Sequence, residues 1–232
     1  MWVPHFPTQN QEGERGYDLN FSNGVSSLFL QYKRSKKLQD KRAKTEHWNA
    51  YCSEFFRFKV RTANKRGEME QHELLCRYAD GGTPVYYVAP EFVDWMDYQR
   101  YAQNDIVIDN SVFIDCKTAP RPTDTDRHYI CHHPADPVAL FFSEEPDRIR
   151  TVRGSQSLSA ELAEIEPLFT SFQEARAEFQ RLRTSLIETL GVEEEVDPDS
   201  YAGDGKAEWI HNQQRFFHEV LGISLQFFET PR

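Results

Sequence analysis

Apolar positions recur along the chain at two periods. Residues 27–33, Ser27-Leu28-Phe29-Leu30-Gln31-Tyr32-Lys33, form an apolar run that closes in a polar Gln-x-Lys step, and this predicts a strand. Residues 17–21 predict another, and Ser22-Asn23-Gly24 between them is a hairpin signal. Over 54–62, Phe56, Phe58 and Val60 alternate with Arg57, Lys59 and Arg61, the pattern of a half-buried strand with a basic outer face. The continuous run 84–89 predicts a central buried strand. Residues 106–108, 112–115 and 129–131 predict short strands, and 225–228 an edge strand.

Helical periods lie between them. Thr8 with Gln11 has the form of a capping box, and Gly16 would end that short helix. Residues 68–79 predict a helix stopped by Gly81-Gly82, and 91–103 one rich in aromatics, whose Trp95 and Tyr98 are expected to pack in the core beside Phe92 and Met96. Helical character returns from Ser157, with Pro167 expected as the first residue of a further helix. Ile165, Phe172, Phe179 and Leu186 recur every seventh residue, flanked by Leu168, Ala175 and Leu182. That stripe must pack within the chain or against a partner. Residues 207–221 predict the last helix, 192–205 a loop, and 34–53 an irregular or helical insertion.

Helices alternating with strands of both kinds predict an α/β layered domain over 1–150. A helical C-terminal region over 151–232 is expected to pack on it or to form an oligomer or partner interface, with 157–190 as the seam of a homodimer or larger complex. The 232 residues suit this size of core.

The net charge of −10 argues against non-specific coating of nucleic acid, but the charge is unevenly spread. Residues 33–66 are net positive, with Lys33, Arg34, Lys36, Lys37, Arg57, Lys59 and Arg61 among their cations, and they follow the Gln-x-Lys strand directly. They are either a phosphate-contacting surface or a solvated face. The four cysteines form no Cys-x-x-Cys pair, which fits free thiols in a reducing compartment. No apolar run approaches the ~20 residues needed to span a bilayer. A cytoplasmic location without membrane contact is expected.

Gly16-Tyr17-Asp18, a short spacer and an apolar strand ending Gln31-Tyr32-Lys33 resemble the signature of the PD-(D/E)XK nuclease superfamily. Gln in place of the usual Glu is similar to the Mrr-like restriction endonuclease branch. The motif covers about the first 35 residues, and the element order extends the likeness to about residue 115. The resemblance implies a restriction-endonuclease-like mixed sheet flanked by helices. It also implies a Mg2+ (or Mn2+) site in which Asp18 is the metal-binding carboxylate, Gln31 the second ligand, the Tyr32 carbonyl a further one, Glu12 or Glu14 the first-helix acid, and Lys33 the catalytic lysine. Gln71 and His72 would face that site. The implied activity is phosphodiester hydrolysis, of DNA rather than RNA, in a defence or mobile-element setting. Arg34, Lys36, Lys37, Arg57, Lys59 and Arg61 are the candidate nucleic-acid contacts. The rival is the same fold with a dead site, serving as a module that binds nucleic acid or protein.

The chemistry is consistent with those roles: Mg2+ takes oxygen ligands and keeps several waters, and an amide oxygen holds it more weakly than a carboxylate. A second metal possibility, zinc on His128, Cys131, His132 and His133, has weak spacing.

Overall fold

The computed structural model describes residues 25–39, 45–60, 71–122, 124, 126–143, 145–190, 205–221 and 223–229. They form an α/β architecture of strands flanked by helices. The strands are β1 (Val25–Tyr32), β2 (Lys36–Leu38), β3 (Phe55–Val60), β4 (Val85–Pro90), β5 (Ser111–Asp115), β6 (His128–His132), β7 (Val138–Phe142), β8 (Pro146–Arg153) and β9 (Ser224–Glu229). The helices are α1 (Thr45–Tyr51), α2 (Gln71–Asp80), α3 (Trp95–Gln103), α4 (Gly154–Ala163), α5 (Phe172–Leu190) and α6 (Lys206–Leu221). Among these residues no helix is long and apolar enough to cross a membrane. The chain divides into two compact units, one of residues 31–158 and the other of residues 1–30 with 159–232.

The unit of residues 31–158 is built on strands hydrogen-bonded in the order β2-β3-β6-β7-β8-β5-β4, and each junction within it is antiparallel. β4 is buried along nearly its whole length, as its continuous apolar run requires. β3 alternates as expected, with Phe56, Phe58 and Val60 buried and Lys59 exposed. α1 covers one end of the sheet, where Trp48 and Tyr51 pack on Phe55, Cys131 and Phe142 and the Tyr51 hydroxyl donates to the Cys131 carbonyl (2.8 Å). α2 buries His72, Leu74, Leu75, Cys76 and Ala79 on one face and ends where Gly82 adopts φ 91°. Residues 106–108 form turn rather than strand: the Ser111 and Asn110 N–H groups reach back to Ile108 and Ile106 carbonyls, so β5 begins only at Ser111.

The other unit pairs β1 antiparallel with β9, from Val25 opposite Glu229 to Leu30 opposite Ser224. The heptad stripe is satisfied here. Phe179 is buried, with its ring 5.2–5.9 Å from those of Phe169, Phe217, Phe227 and Trp209. Pro167 does not start a helix. Residues 164–171 instead run past β1, where Val25 and Phe169 exchange N–H···O bonds of 2.9 and 3.0 Å, and Ser26 Oγ donates to the Glu166 carbonyl and accepts from the Leu168 N–H. α5 starts after Ser171, whose hydroxyl accepts from the Glu174 N–H (3.1 Å) while the Glu174 carboxylate accepts from the Thr170 N–H (2.9 Å). This is a capping arrangement that holds the Glu174 carboxyl below its ordinary value.

Candidate functional site

The Gln-x-Lys step sits where β1 leaves its apolar run. Strand alternation sends Gln31 and Lys33 to one side and Tyr32, which is exposed, to the other. The Lys33 N–H donates to the Val88 carbonyl (2.8 Å), so this turn of chain is anchored on β4. Lys33 Nζ donates to Gln71 Oε1 at 3.1 Å and lies 5.1 Å from the centroid of the Tyr87 ring. Gln71, the first residue of α2, therefore contacts Lys33. The next residue, His72, is buried beneath the same ring: its Nδ1 lies 2.8 Å from the Tyr87 hydroxyl and its Nε2 2.7 Å from the Pro120 carbonyl. A carbonyl can only accept, so Nε2 carries the proton and Nδ1 accepts from Tyr87.

That arrangement needs a neutral imidazole. Burial pushes the His72 pKa down, and the nearby Lys33 and Arg121 charges act in the same sense. The unfolded chain, with an ordinary imidazole value of ~6.5, binds the proton first. The resulting stability is complete above that value and is lost as pH falls below it toward the folded-state value. Urea midpoints measured from pH 8 to pH 5 are expected to fall on acidification, and His72→Phe is expected to flatten the curve. A wild-type midpoint that rises as pH falls over this range would contradict the assignment.

Gln31 is 7 % exposed. Its Nε2 donates to the Tyr32 carbonyl (3.3 Å), while its Oε1 is buried with no hydrogen-bond partner among the described residues. A buried unpaired oxygen costs free energy of about 1–3 kcal/mol, which a ligand there would recover. Gln31 Oε1 and the Tyr32 carbonyl are both hard oxygen donors, the type Mg2+ or Mn2+ takes. Neither carries charge, and no group of three or more His, Cys, Asp or Glu side chains among the described residues could hold a metal. The carboxylates assigned to this role, Asp18 with Glu12 or Glu14, lie outside the described residues, as does Arg61. Donor type therefore fits a hard divalent cation, with its charge to be supplied by those acids.

The candidate nucleic-acid contacts separate into two kinds. Arg34, Lys36 and Lys59 are exposed. Lys36 stands opposite Arg57 in the β2–β3 register, so the two share one face. Arg57, however, is half-buried with its guanidinium 4.8 Å from the Tyr129 ring and 3.3 Å from His47 Nδ1, and Lys37 is paired with Glu54 at 2.7 Å. These last two serve the fold of β2, β3 and α1 as much as any ligand.

A second polar cluster follows Lys33 directly and was not legible in the sequence. Ser35 Oγ lies 3.3 Å from His132 Nε2, and His132 Nδ1 lies 3.3 Å from Glu91 Oε1. Arg153 binds the same carboxylate and donates to the Asp136 and His133 carbonyls. Hydroxyl, imidazole and carboxylate in this order have the connectivity of an activated nucleophile. Ser35 is only 4 % exposed and His132 is stacked on Phe56 at 5.5 Å, so no substrate carbonyl or phosphorus can approach the hydroxyl. The cluster instead braces the chain just after Lys33. Burial pushes the Glu91 carboxyl up, but the hydrogen bonds from His132 and Arg153 outweigh it and leave Glu91 below its ordinary value. Zinc finds no support in this strand geometry, because alternation along β6 puts Cys131 on the face opposite His128 and His132.

Comparison of the chain with protein-family models, with curated proteins and with solved structures returns no match.

Proposed function

We propose that the chain is a metal-dependent nuclease of restriction-endonuclease-like fold that hydrolyses phosphodiester bonds, of DNA in preference to RNA. The observation that carries this reading is the end of β1: a buried amide oxygen without a partner among the described residues, two positions before a lysine whose ammonium is oriented by Gln71. Arg34, which follows Lys33 in the chain, is exposed, as are Lys36 and Lys59 on β2 and β3, and such cations suit contact with a phosphate backbone.

In this mechanism Gln31 Oε1 and the Tyr32 carbonyl, with the Asp18 carboxylate and Glu12 or Glu14, would hold the cation. The cation would supply a bound water of lowered pKa and positive charge opposite the phosphate. Lys33 presents its ammonium to a non-bridging phosphate oxygen and stabilises the added charge as water attacks phosphorus and the ester P–O bond breaks. Gln71 fixes the direction of that ammonium, and the Lys33 N–H···Val88 bond fixes the main chain beneath it. The low-dielectric surroundings of Tyr87 and His72 strengthen the Lys33–phosphate attraction.

Incubation of the chain with supercoiled plasmid and linear duplex in the presence of Mg2+ or Mn2+ tests the reading. Cleavage that EDTA stops and that Asp18→Ala removes is expected. Retention of DNA in a gel shift with no cleavage under either metal would make the chain a binding module instead.

A further inference from the structure

The core of the 31–158 unit leaves one apolar stretch unused. Helix α3, Trp95-Met96-Asp97-Tyr98-Gln99-Arg100-Tyr101-Ala102-Gln103, has no buried residue. Trp95 is 65 % and Met96 74 % exposed, and Val93, Tyr98 and Ile106 are exposed as well. Among the described residues, Tyr32 is the only other large apolar side chain so exposed. Isolated exposed apolar side chains need no explanation, but a contiguous group does. This group is contiguous: the Trp95 ring stacks on Tyr98 (4.9 Å), Phe92 lies 6.3 Å from Tyr98 and 5.3 Å from Tyr101, and the Ile106 N–H donates to the Tyr101 carbonyl (2.9 Å).

The helix is short for one that owes nothing to burial of its own face, since isolated helices under ~12 residues are marginal in water. Local polar bonds hold it. The Asp94 carboxylate accepts from the Asp97 N–H (2.7 Å), Arg100 donates to the Asp97 carboxylate (2.7 Å), and Asn104 Nδ2 donates to the Arg100 carbonyl (2.7 Å). The aromatic face is thus held in place before anything docks on it.

The rim of the face identifies its occupant. Asp94, Asp97 and Asp105 border it, and the one cation of α3, Arg100, is committed to Asp97 and lies 4.8 Å from the Tyr101 ring. A negative rim repels a phosphate backbone, which argues against stacking of nucleic-acid bases on Trp95 and Tyr98. A second copy would bring the same net-negative rim to this one rather than the opposite charge. A nine-residue helix, about 14 Å long, also falls well short of the roughly 800 Å² per partner of a standard interface. We propose that α3 with Phe92, Val93 and Ile106 is a docking face for a short protein segment in which Lys or Arg alternates with apolar side chains, as on a basic amphipathic helix. Its apolar side chains cover Trp95 and Met96, the residue types enriched at interface centres. Its cations lie over the Trp95–Tyr98 ring pair and beside Asp94 and Asp97. This docking face is independent of the nuclease reading.

The test uses the full chain and a fluorescein-labelled 14-residue peptide of Leu and Lys at helical spacing, read by anisotropy. Saturable binding is expected. Trp95→Ser with Met96→Ser should weaken it at least tenfold, Asp94→Asn with Asp97→Asn should weaken it and remove its salt dependence, and a peptide with Glu in place of Lys should not bind. Both apolar changes are at exposed positions, and an unchanged thermal midpoint verifies the fold; the asparagine pair provides a second route if it shifts. Peptide binding that neither pair of changes weakens would overturn the proposal. So would binding of a dT oligonucleotide that Trp95→Ser abolishes, or a dimer in sedimentation equilibrium that Trp95→Ser dissociates.

Discussion

Lys33→Met is expected to lower the metal-dependent cleavage rate by about 10²–10⁴-fold, the range typical for loss of a positioned acid–base or charge-stabilising group. Methionine keeps the unbranched stem lying over Tyr87, so the fold and the anchoring bond from residue 33 to Val88 should survive. The loss should appear in kcat with little change in DNA affinity, because one ammonium is a small part of a multi-phosphate contact. Gln71→Ala removes an acceptor that directs the ammonium, and a smaller loss of about 10–100-fold is expected, as for other residues that orient a catalytic group. Single-turnover cleavage beside a gel shift separates the two effects. A Lys33→Met variant that cuts at the wild-type rate would remove lysine from the mechanism.

Phe179→Ala is expected to cost about 3–5 kcal/mol. Phe179 is buried and stands among four aromatic rings, in edge-on contact with Trp209 and Phe217 and tilted against Phe169 and Phe227. Alanine removes the ring, forfeits these aromatic contacts and leaves a void that α5, α6 and the β1–β9 ribbon are too regular to close. Against a typical total of about 5–15 kcal/mol, that is a large fraction of the stability available. Phe179→Leu, which refills most of the volume, should cost well under half as much. Urea denaturation of the two variants is the check, and equal midpoints for wild type and Phe179→Ala would mean that the heptad stripe is not what binds this unit together.

Periodicity, or an unbroken apolar run, located the elements with a regular burial pattern. β3 shows plain alternation, β4 a continuous apolar run, and the α5 stripe a seven-residue repeat taken up by Trp209 and Phe217. Where burial breaks the period, the sequence is silent. β8 buries Ile149 and Val152, three apart, with Arg148 and Arg150 exposed on either side of Ile149, so neither a strand nor a helix is legible in it. β7 is five residues long and two of them, Val138 and Leu140, are only partly buried. Pro167 misleads because a non-local exchange between Val25 and Phe169 overrides the local preference for a helix start. The aromatics of α3 mislead in the opposite way. An apolar helix in sequence implies a core to cover, whereas Trp95 and Met96 face solvent. Of the candidate site, the Lys33–Gln71 hydrogen bond joins two residues singled out in the sequence. The Ser35–His132–Glu91 brace was not legible, since its members lie on three segments that only the sheet brings together.

The central claim is that the end of β1 is a hard-cation site. The direct test is the anomalous difference density of a crystal of the chain soaked in Mn2+. One peak is predicted within bonding distance of Gln31 Oε1 and the Tyr32 carbonyl, completed by the Asp18 carboxylate and by Glu12 or Glu14. A crystal that takes up Mn2+ elsewhere while leaving Gln31 and Tyr32 without a peak would contradict it.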